Sequence, residues 1–112
     1  MKKINLSITG CLGRMGQQII KSTKSSKEFK IVSITESKNI NKKISGLKPL
    51  LNSKEAFKNA KIIIDFSVPK STLQVLKVAS KLKKRVVIGT TGFSKKEERI
   101  IKNYSRKIPI LK

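Results

Sequence analysis

The fold is decided by one stretch near the start of the chain, Ile4-Asn5-Leu6-Ser7-Ile8-Thr9-Gly10-Cys11-Leu12-Gly13-Arg14-Met15-Gly16. Its first half, Ile4–Thr9, is largely apolar and predicts a buried strand. Three glycines then predict a tight turn, and helical periodicity follows from Arg14 onward. A helix that begins directly after a strand presents N–H groups without intrahelical partners, together with the positive end of its dipole. The stretch therefore predicts a site that attracts phosphate without basic side chains.

Outward from this stretch, apolar strands alternate with amphipathic helices. The predicted strands are Ile4–Thr9, Lys30–Thr35, Ile62–Phe66, Val86–Gly89 and Ile108–Leu111. The predicted helices are Arg14–Ser25, Ser53–Asn59, Pro69–Leu82 and a last one from Ser94 to about Arg106, and the polar segment Ser37–Asn52 is expected to be an exposed excursion. This alternation predicts an α/β fold, a Rossmann-like doubly wound parallel sheet of about five strands in a single domain, residues 1–112.

The glycine pattern Gly10-x-x-Gly13-x-x-Gly16 lies where such sheets bind dinucleotides, although Leu12 occupies the position of the usual middle glycine. Gly10 is expected to permit the turn, Gly13 to let the backbone approach a pyrophosphate, and Gly16 to let the helix pack closely. Glu36 follows the second strand, 20 residues after Gly16, where a carboxylate accepts hydrogen bonds from ribose hydroxyls. The alternative is a strand–helix–strand unit whose glycines only make the turn.

Three other side chains allow two interpretations each. Arg14 either contacts a phosphate or is an exposed helix arginine, and the fork geometry of its guanidinium favours contact. Cys11 is interpreted as a small loop residue rather than a nucleophile, because the chain has no histidine to activate it. Asp65 is expected to have a structural role, capping the following helix or bonding loop N–H groups, rather than to act as a catalytic acid. No metal ligands are predicted.

The formal net charge of +21 is the most unusual feature of the composition, and it admits binding to nucleic acid or to an anionic membrane. Only four of the 27 basic residues are arginines, and the lysines are scattered along the chain. Aromatic residues are few and do not interleave with basic ones in the way that base stacking needs. We therefore expect no specific nucleic acid and no membrane as partners, and interpret the charge as compositional drift.

Apolar runs and cysteine content predict the compartment. No apolar run approaches the roughly 20 residues that span a bilayer, and no secretory signal pattern follows Met1. A single cysteine cannot form an internal disulfide, which fits a reducing environment. The sequence therefore predicts a cytoplasmic protein.

Three sequence blocks together resemble the 4-hydroxy-tetrahydrodipicolinate reductase family, also called dihydrodipicolinate reductase. They are Gly10–Gly16 (GCLGRMG), Ile64–Pro69 (IDFSVP) and Val87–Phe93 (VIGTTGF). The resemblance extends over essentially the whole chain but only over the N-terminal cofactor domain of the family. It implies a nicotinamide-dependent oxidoreductase of lysine and diaminopimelate biosynthesis, which transfers a hydride to a cyclic dicarboxylate.

The resemblance also implies which residues contact the cofactor, either NADH or NADPH. Those assigned to the pyrophosphate are Gly10, Cys11, Leu12, Gly13, Arg14 and Met15. Glu36 is assigned to the adenosine ribose, and Gly89, Thr90 and Thr91 to the nicotinamide end. Family members often carry an arginine after the acid to hold the 2′-phosphate of NADPH. Ser37 stands there in this chain, followed by Lys38, so dual use or a tilt toward NADH is expected.

The family's catalytic segment, a His-His pair with a downstream lysine in a C-terminal substrate domain, has no counterpart in a chain that contains no histidine. The sequence ends at Lys112, about where the family continues into that domain. We therefore expect a truncated chain that binds cofactor without turnover, has no catalytic residue of its own and has lost the family's tetramer. Two alternatives stay open: a nucleotide-binding module or subunit completed by a separate polypeptide, and a basic nucleic-acid binder.

Overall fold

A computed structural model describes residues 2–112 and shows helices on both faces of one parallel sheet. The strands are β1 (Ile4–Thr9), β2 (Phe29–Glu36), β3 (Leu50–Leu51), β4 (Ile62–Asp65), β5 (Arg85–Ile88) and β6 (Ile110–Leu111). The helices are α1 (Arg14–Lys24), α2 (Lys54–Phe57), α3 (Pro69–Leu82) and α4 (Lys95–Tyr104). The strand order is β3-β2-β1-β4-β5-β6, so the predicted doubly wound, Rossmann-like α/β fold is confirmed.

The sheet has six strands rather than about five. The additional strand, β3, lies within the segment that was expected to be an exposed excursion and pairs only with Thr35 and Glu36. Two residues are too few to show a strand periodicity, so the sequence pattern does not reveal this strand. The same segment is not wholly exposed, because Ile44 and Pro49 are buried.

The starts of three helices follow local sequence signals. The Ser94 side chain accepts the Glu97 N–H and the Glu97 side chain accepts the Ser94 N–H, which is the predicted capping box of α4. Ser53 caps α2 by accepting the Ala56 N–H, as predicted, and Pro69 lies in the first turn of α3. Within residues 2–112, no helix combines the length and the apolar character that crossing a bilayer requires.

Two apolar clusters cover the two faces of the sheet. The cluster that packs α1 on the sheet contains the buried residues Leu6, Ile8, Cys11, Ile20, Ile34 and Ile44. The cluster beneath α2, α3 and α4 contains Ala56, Phe57, Ala60, Ile63, Val75, Leu76, Ala79, Val86, Ile88, Ile101 and Ile108. Each large side chain fully buried in this way contributes about 1.5–3 kcal/mol to folding. A parallel sheet needs this cover on both faces, which fixes where the strand ends lie.

Small polar side chains on the strands form a buried layer on the face that carries α2 and α3. The Oγ atoms of Ser7 and Ser33 lie 2.6 Å apart, and the Ser33 hydroxyl donates to the Ala56 carbonyl at 2.6 Å. Every buried side-chain polar atom among the described residues has a hydrogen-bond partner. Because an unpaired buried polar group costs about 1–3 kcal/mol, this layer favours one register of helix on sheet.

Candidate functional site

The turn after β1 lies beside the loop after β4, at the point in the sheet where the strand order reverses. The strand order places β2 and β3 on one side of β1 and β4 to β6 on the other, so the switch point lies between β1 and β4. Gly10 has a φ of +66°, and a Cβ there would come within 3.0 Å of the Phe66 carbonyl oxygen. Glycine is therefore required at position 10, as the predicted tight turn implies.

The other two glycines of the loop differ in what surrounds them. A Cβ at Gly16 would come within 3.0 Å of the Gly10 carbonyl oxygen, so this glycine lets α1 pack closely on the turn. Gly13 is exposed, and a Cβ there would meet only the Gly10 oxygen, at 3.3 Å. The backbone in front of α1 is therefore open to a ligand, and the assignment of Gly13 to a pyrophosphate stays a prediction.

The N-terminus of α1 is not capped by a side chain. Gly13 occupies the N-cap position, and no acidic residue lies in the first turn of this helix. By contrast, α4 has a complete capping box with Glu97 and Glu98 in its first turn. Arg14 and Met15 are exposed at the start of α1. Free N–H groups and the positive end of the helix dipole therefore face the open side of the turn, which suits an anion.

Glu36 lies at the end of β2, and its carboxylate reaches the glycine loop. Its Oε2 atom accepts the Leu12 N–H at 3.0 Å, and its Oε1 atom accepts the Ser37 N–H at 3.1 Å. A carboxylate has about four acceptor positions, so two remain for other donors. The carboxylate predicted to hold a ribose is thus fixed beside the loop predicted to hold the pyrophosphate.

Cys11 is buried within the turn, and its N–H donates to the Thr35 carbonyl at 3.1 Å. Burial, and secondarily the negative charge of Glu36, raise the pKa of the Cys11 thiol from 9.0 to about 11. The thiol is therefore protonated at neutral pH and has little nucleophilic character. This agrees with the interpretation of Cys11 as a loop residue.

Asp65 is fully buried at the end of β4 and accepts hydrogen bonds from hydroxyl groups. Their donors are Thr9, Ser67, Thr72 and Thr90. The expected structural role is therefore correct, but the expected partners, loop N–H groups, are wrong. Hydroxyl groups take their place because β1, α3 and two loops converge on the carboxylate, and each brings a short hydroxyl side chain.

The three residues assigned to the nicotinamide end differ in exposure. A Cβ at Gly89 would overlap the Phe66 ring, so this glycine makes room for an aromatic side chain of the neighbouring loop. Thr90 is buried, with its hydroxyl engaged by Asp65 and by the Ser67 N–H. Thr91 is exposed. Of the two threonine side chains, only that of Thr91 is free to meet a ligand directly.

A cleft of about 360 Å³ lies between the end of β2 and the first turns of α3. It is lined by Ser37, Val68, Lys70, Ser71 and Gln74. The buried Asn52 side chain supports its floor: the Asn52 amide donates to the Ser71 hydroxyl and the Gln74 side-chain oxygen, each at 3.2 Å. Of the lining residues, only Ser37 has a predicted part in distinguishing the two cofactors. The other lining residues could have been predicted, because they follow β4, whose carboxyl end lies at the same edge of the parallel sheet as that of β2.

The structure brings most of the predicted site residues to this edge. Gly10 to Met15 and Glu36 form one continuous group, whereas Gly89 to Thr91 lie beyond β4. Arg14 also lines a groove of about 650 Å³ along the outer face of α1, together with Leu12, Gln17, Gln18 and Lys21. Within residues 2–112, no cluster of three or more His, Cys, Asp or Glu side chains is arranged to hold a metal ion.

Comparison with known proteins points to one family. The family model described as "Dihydrodipicolinate reductase, N-terminus" matches residues 4–112. A 4-hydroxy-tetrahydrodipicolinate reductase of Pelagibacter ubique (strain HTCC1062) is 63% identical over 112 residues, and one of Bdellovibrio bacteriovorus is 39% identical over 114. These alignments cover 100% and 99% of this chain but 43% and 44% of the relatives. The chain therefore spans less than half the length of these relatives.

Solved structures show the same fold at low sequence identity. A dipicolinate-bound dihydrodipicolinate reductase from Paenisporosarcina sp. TG-14 superimposes with a TM-score of 0.72 at 21% identity, covering 93% of this chain and 43% of that one. A homoserine dehydrogenase of S. aureus gives 0.77 at 17% identity, covering 98% and 32%. At these identities the likeness concerns the fold alone. Together the comparisons do not favour the nucleic-acid or separate-module alternatives.

Proposed function

This chain belongs to the dihydrodipicolinate reductase family, matching its N-terminal part, and on that premise we propose that it binds NADH or NADPH. The pyrophosphate would lie against the N-terminus of α1, and a ribose against Glu36. The observation that carries the proposal is the pairing of an uncapped helix N-terminus with a carboxylate that is hydrogen-bonded to the same loop. A phosphate group would bind at the uncapped helix N-terminus, and a ribose diol would bind at the carboxylate.

The residues present fit such a cofactor. Gly13 leaves the front of the helix open, and Glu36 has acceptor positions in addition to those used by Leu12 and Ser37. The bound cofactor would supply a hydride from its nicotinamide ring. In a whole family protein that hydride would reduce a cyclic dicarboxylate, and we propose that this chain contributes binding and orientation to the step. Isothermal titration calorimetry with saturating NADH and NADPH tests the proposal, and a folded sample that gives no heat with either would contradict it.

We further propose that the chain uses both cofactors or favours NADH. Ser37 is exposed beside Glu36 and offers one hydroxyl to a 2′-phosphate, whereas an arginine would offer a bidentate fork. Lys38 is exposed on the same loop, and Lys70 lines the adjoining cleft, so some positive charge is available. These residues make NADPH acceptable without making it strongly preferred.

The ratio of the two dissociation constants tests this preference. We expect the wild-type chain to bind NADPH no more than about tenfold more tightly than NADH. Ser37→Arg should shift the ratio by one to two orders of magnitude toward NADPH, because charge-assisted bonds to phosphate contribute about 1.5–3 kcal/mol. Ser37→Gln is the matched control, since it lengthens the side chain without adding charge. A wild-type preference for NADPH of a hundredfold or more would refute the proposal.

A further inference from the structure

We propose that Thr90 is a positioning residue whose hydroxyl ties the loop after β5 to the buried Asp65 and thereby sets affinity for the nicotinamide half of the dinucleotide. The proposal rests on the proposed function and deepens it. It departs from the sequence expectation that Thr90 contacts the cofactor itself. Its basis is a hydrogen-bonded cluster that joins three strand ends.

The hydroxyl of Thr90 already both donates and accepts a hydrogen bond within the protein. It donates to Asp65 Oδ2 at 2.9 Å and accepts the Ser67 N–H at 2.8 Å. Thr90 is only 6% exposed, so its hydroxyl has little access to a ligand. One side chain therefore fixes the distance between the loop after β4 and the loop after β5.

The Asp65 carboxylate holds the Thr90 hydroxyl in a fixed position. The carboxylate is fully buried and also accepts hydroxyl groups from Thr9 on β1, from Thr72 on α3, and from Ser67 at 2.6 Å. No ion pair found among residues 2–112 involves Asp65. All the hydrogen bonds found to this carboxylate come from hydroxyl groups, so each hydroxyl that is lost leaves it less well solvated. Its neighbours must keep their positions to satisfy it.

The fixed part of the loop ends at Thr90. Before it, the Gly89 N–H donates to the Asp65 carbonyl at 2.8 Å, and the Phe66 ring fills the space that a Gly89 side chain would occupy. After it, Thr91 and Gly92 are exposed, and Gly92 has a φ of +87°. Without the Thr90 hydroxyl, the exposed residues lose their anchor and must be ordered when a ligand binds, which reduces affinity.

The position of this loop makes the effect specific to one half of the ligand. Glu36 ends β2, whereas Thr90 follows β5, and β1 and β4 lie between them in the sheet. Three strand spacings correspond to about 14 Å, the scale of one half of a dinucleotide. A ligand with its ribose at Glu36 and its pyrophosphate at α1 must extend its other half toward β4 and β5. The adenosine half does not reach Thr90.

The test compares NADH with ADP-ribose, which keeps the adenosine and pyrophosphate but lacks the nicotinamide. Dissociation constants for both ligands are measured on the wild-type chain, Thr90→Val, Thr90→Ser and Thr72→Val. In Thr90→Val we expect the dissociation constant of NADH to rise about tenfold, while that of ADP-ribose stays within twofold of its wild-type value. Thr90→Ser keeps the hydroxyl, so its dissociation constant for NADH should lie within threefold of the wild-type value.

Thr72→Val is the matched control, because it removes another hydroxyl from the same carboxylate on the helix side. It should lower the unfolding temperature without changing the ratio of the two dissociation constants. A merely structural role for Thr90 would leave that ratio unchanged in Thr90→Val as well, and that result overturns the inference. If Thr90→Val does not fold, Thr90→Ala at low temperature is measured by the same criterion. A wild-type chain that binds neither ligand overturns the proposed function and this inference with it.

Discussion

Replacing Gly13 by aspartate should weaken dinucleotide binding at least a hundredfold without weakening the fold. Gly13 occupies the N-cap position of α1 with φ −72° and ψ 162°, a conformation open to any residue. A Cβ there meets only the Gly10 carbonyl oxygen, at 3.3 Å. The aspartate side chain would accept N–H groups of the first turn, the same donors that the proposed pyrophosphate needs. Capping the helix and binding the ligand therefore compete for one set of atoms.

The expected change in stability is small and positive. Glycine is already a tolerated N-cap, so a better cap adds only a few tenths of a kcal/mol. A negative charge at the helix N-terminus adds about 0.3–1 kcal/mol, since the first turn of α1 contains no acidic residue. The close approach to the Gly10 oxygen offsets part of this gain. For a chain of this size, we expect the unfolding temperature to stay the same or to rise by about 2–4 °C.

The expected loss of affinity is large. Two like charges about 4 Å apart repel by about 4 kcal/mol at an effective dielectric constant of 20, and exposure to solvent at Gly13 reduces this to about half. Occupying the N–H donors removes charge-assisted bonds of about 1.5–3 kcal/mol. The two effects together exceed about 2.8 kcal/mol, so the dissociation constant should rise at least a hundredfold.

The assay pairs calorimetric titration of NADH with thermal unfolding of the same samples. Gly13→Asn is the matched control, because asparagine caps the helix without a charge and should weaken NADH by about tenfold. The reasoning would be refuted by a Gly13→Asp chain that unfolds no earlier than wild type and still binds NADH within threefold. Binding would then not depend on the N-terminus of α1.

Three further predictions concern neighbouring residues. Glu36→Gln should weaken NADH binding by about tenfold in calorimetry, and unchanged affinity would contradict a ribose contact. Its unfolding temperature should change little, because the remaining oxygen can keep the Leu12 N–H while the exposed Ser37 N–H bonds to water. Gly89→Ala should lower the free energy of unfolding by about 1–3 kcal/mol in denaturant titrations, because the new Cβ overlaps the Phe66 ring, whereas Gly13→Ala should change it far less. Because the pKa of Cys11 is raised in the folded chain, this thiol favours folding below pH 9.0, and the contribution is lost between pH 9.0 and about 11. Over that range the free energy of unfolding of wild type should fall relative to that of Cys11→Ala by up to about 1.4 kcal/mol per pH unit. Plots of this free energy against pH that stay parallel for the two chains would contradict the prediction.

The opening strand, turn and helix could be predicted from the sequence because their signals are local. The predicted bounds of β1 agree with the structure, and α1 ends one residue earlier than predicted. Apolar periodicity and glycine each act over a few residues, so no distant partner needs to be known. The same holds for the capping box at Ser94, which depends on two residues three positions apart.

The parts that could not be predicted depend on pairing across the sheet. The strand Leu50–Leu51 exists because it meets the end of β2, and nothing within its own two residues indicates that. Thr9 and Thr35 lie within the predicted strands, and in the structure they bond the buried Asp65 and Asn52. A sequence pattern places such residues on a strand, but it does not indicate which partner satisfies them.

Gly13 at the N-cap of α1 bears on ligand binding more directly than Gly10 and Gly16 do. Gly10 and Gly16 are both explained by close packing, so they would be needed in a turn with no ligand at all. Gly13 is not explained in that way, because it is exposed and a side chain there meets a single atom. A turn built only for folding would gain stability from serine or aspartate at this N-cap, as α2 and α4 do from Ser53 and Ser94. The N-terminus of α1 forgoes that gain, as does that of α3, whose N-cap residue is Val68. At α1 the proposed anion contact would account for it, because the turn before this helix is also hydrogen-bonded to the Glu36 carboxylate.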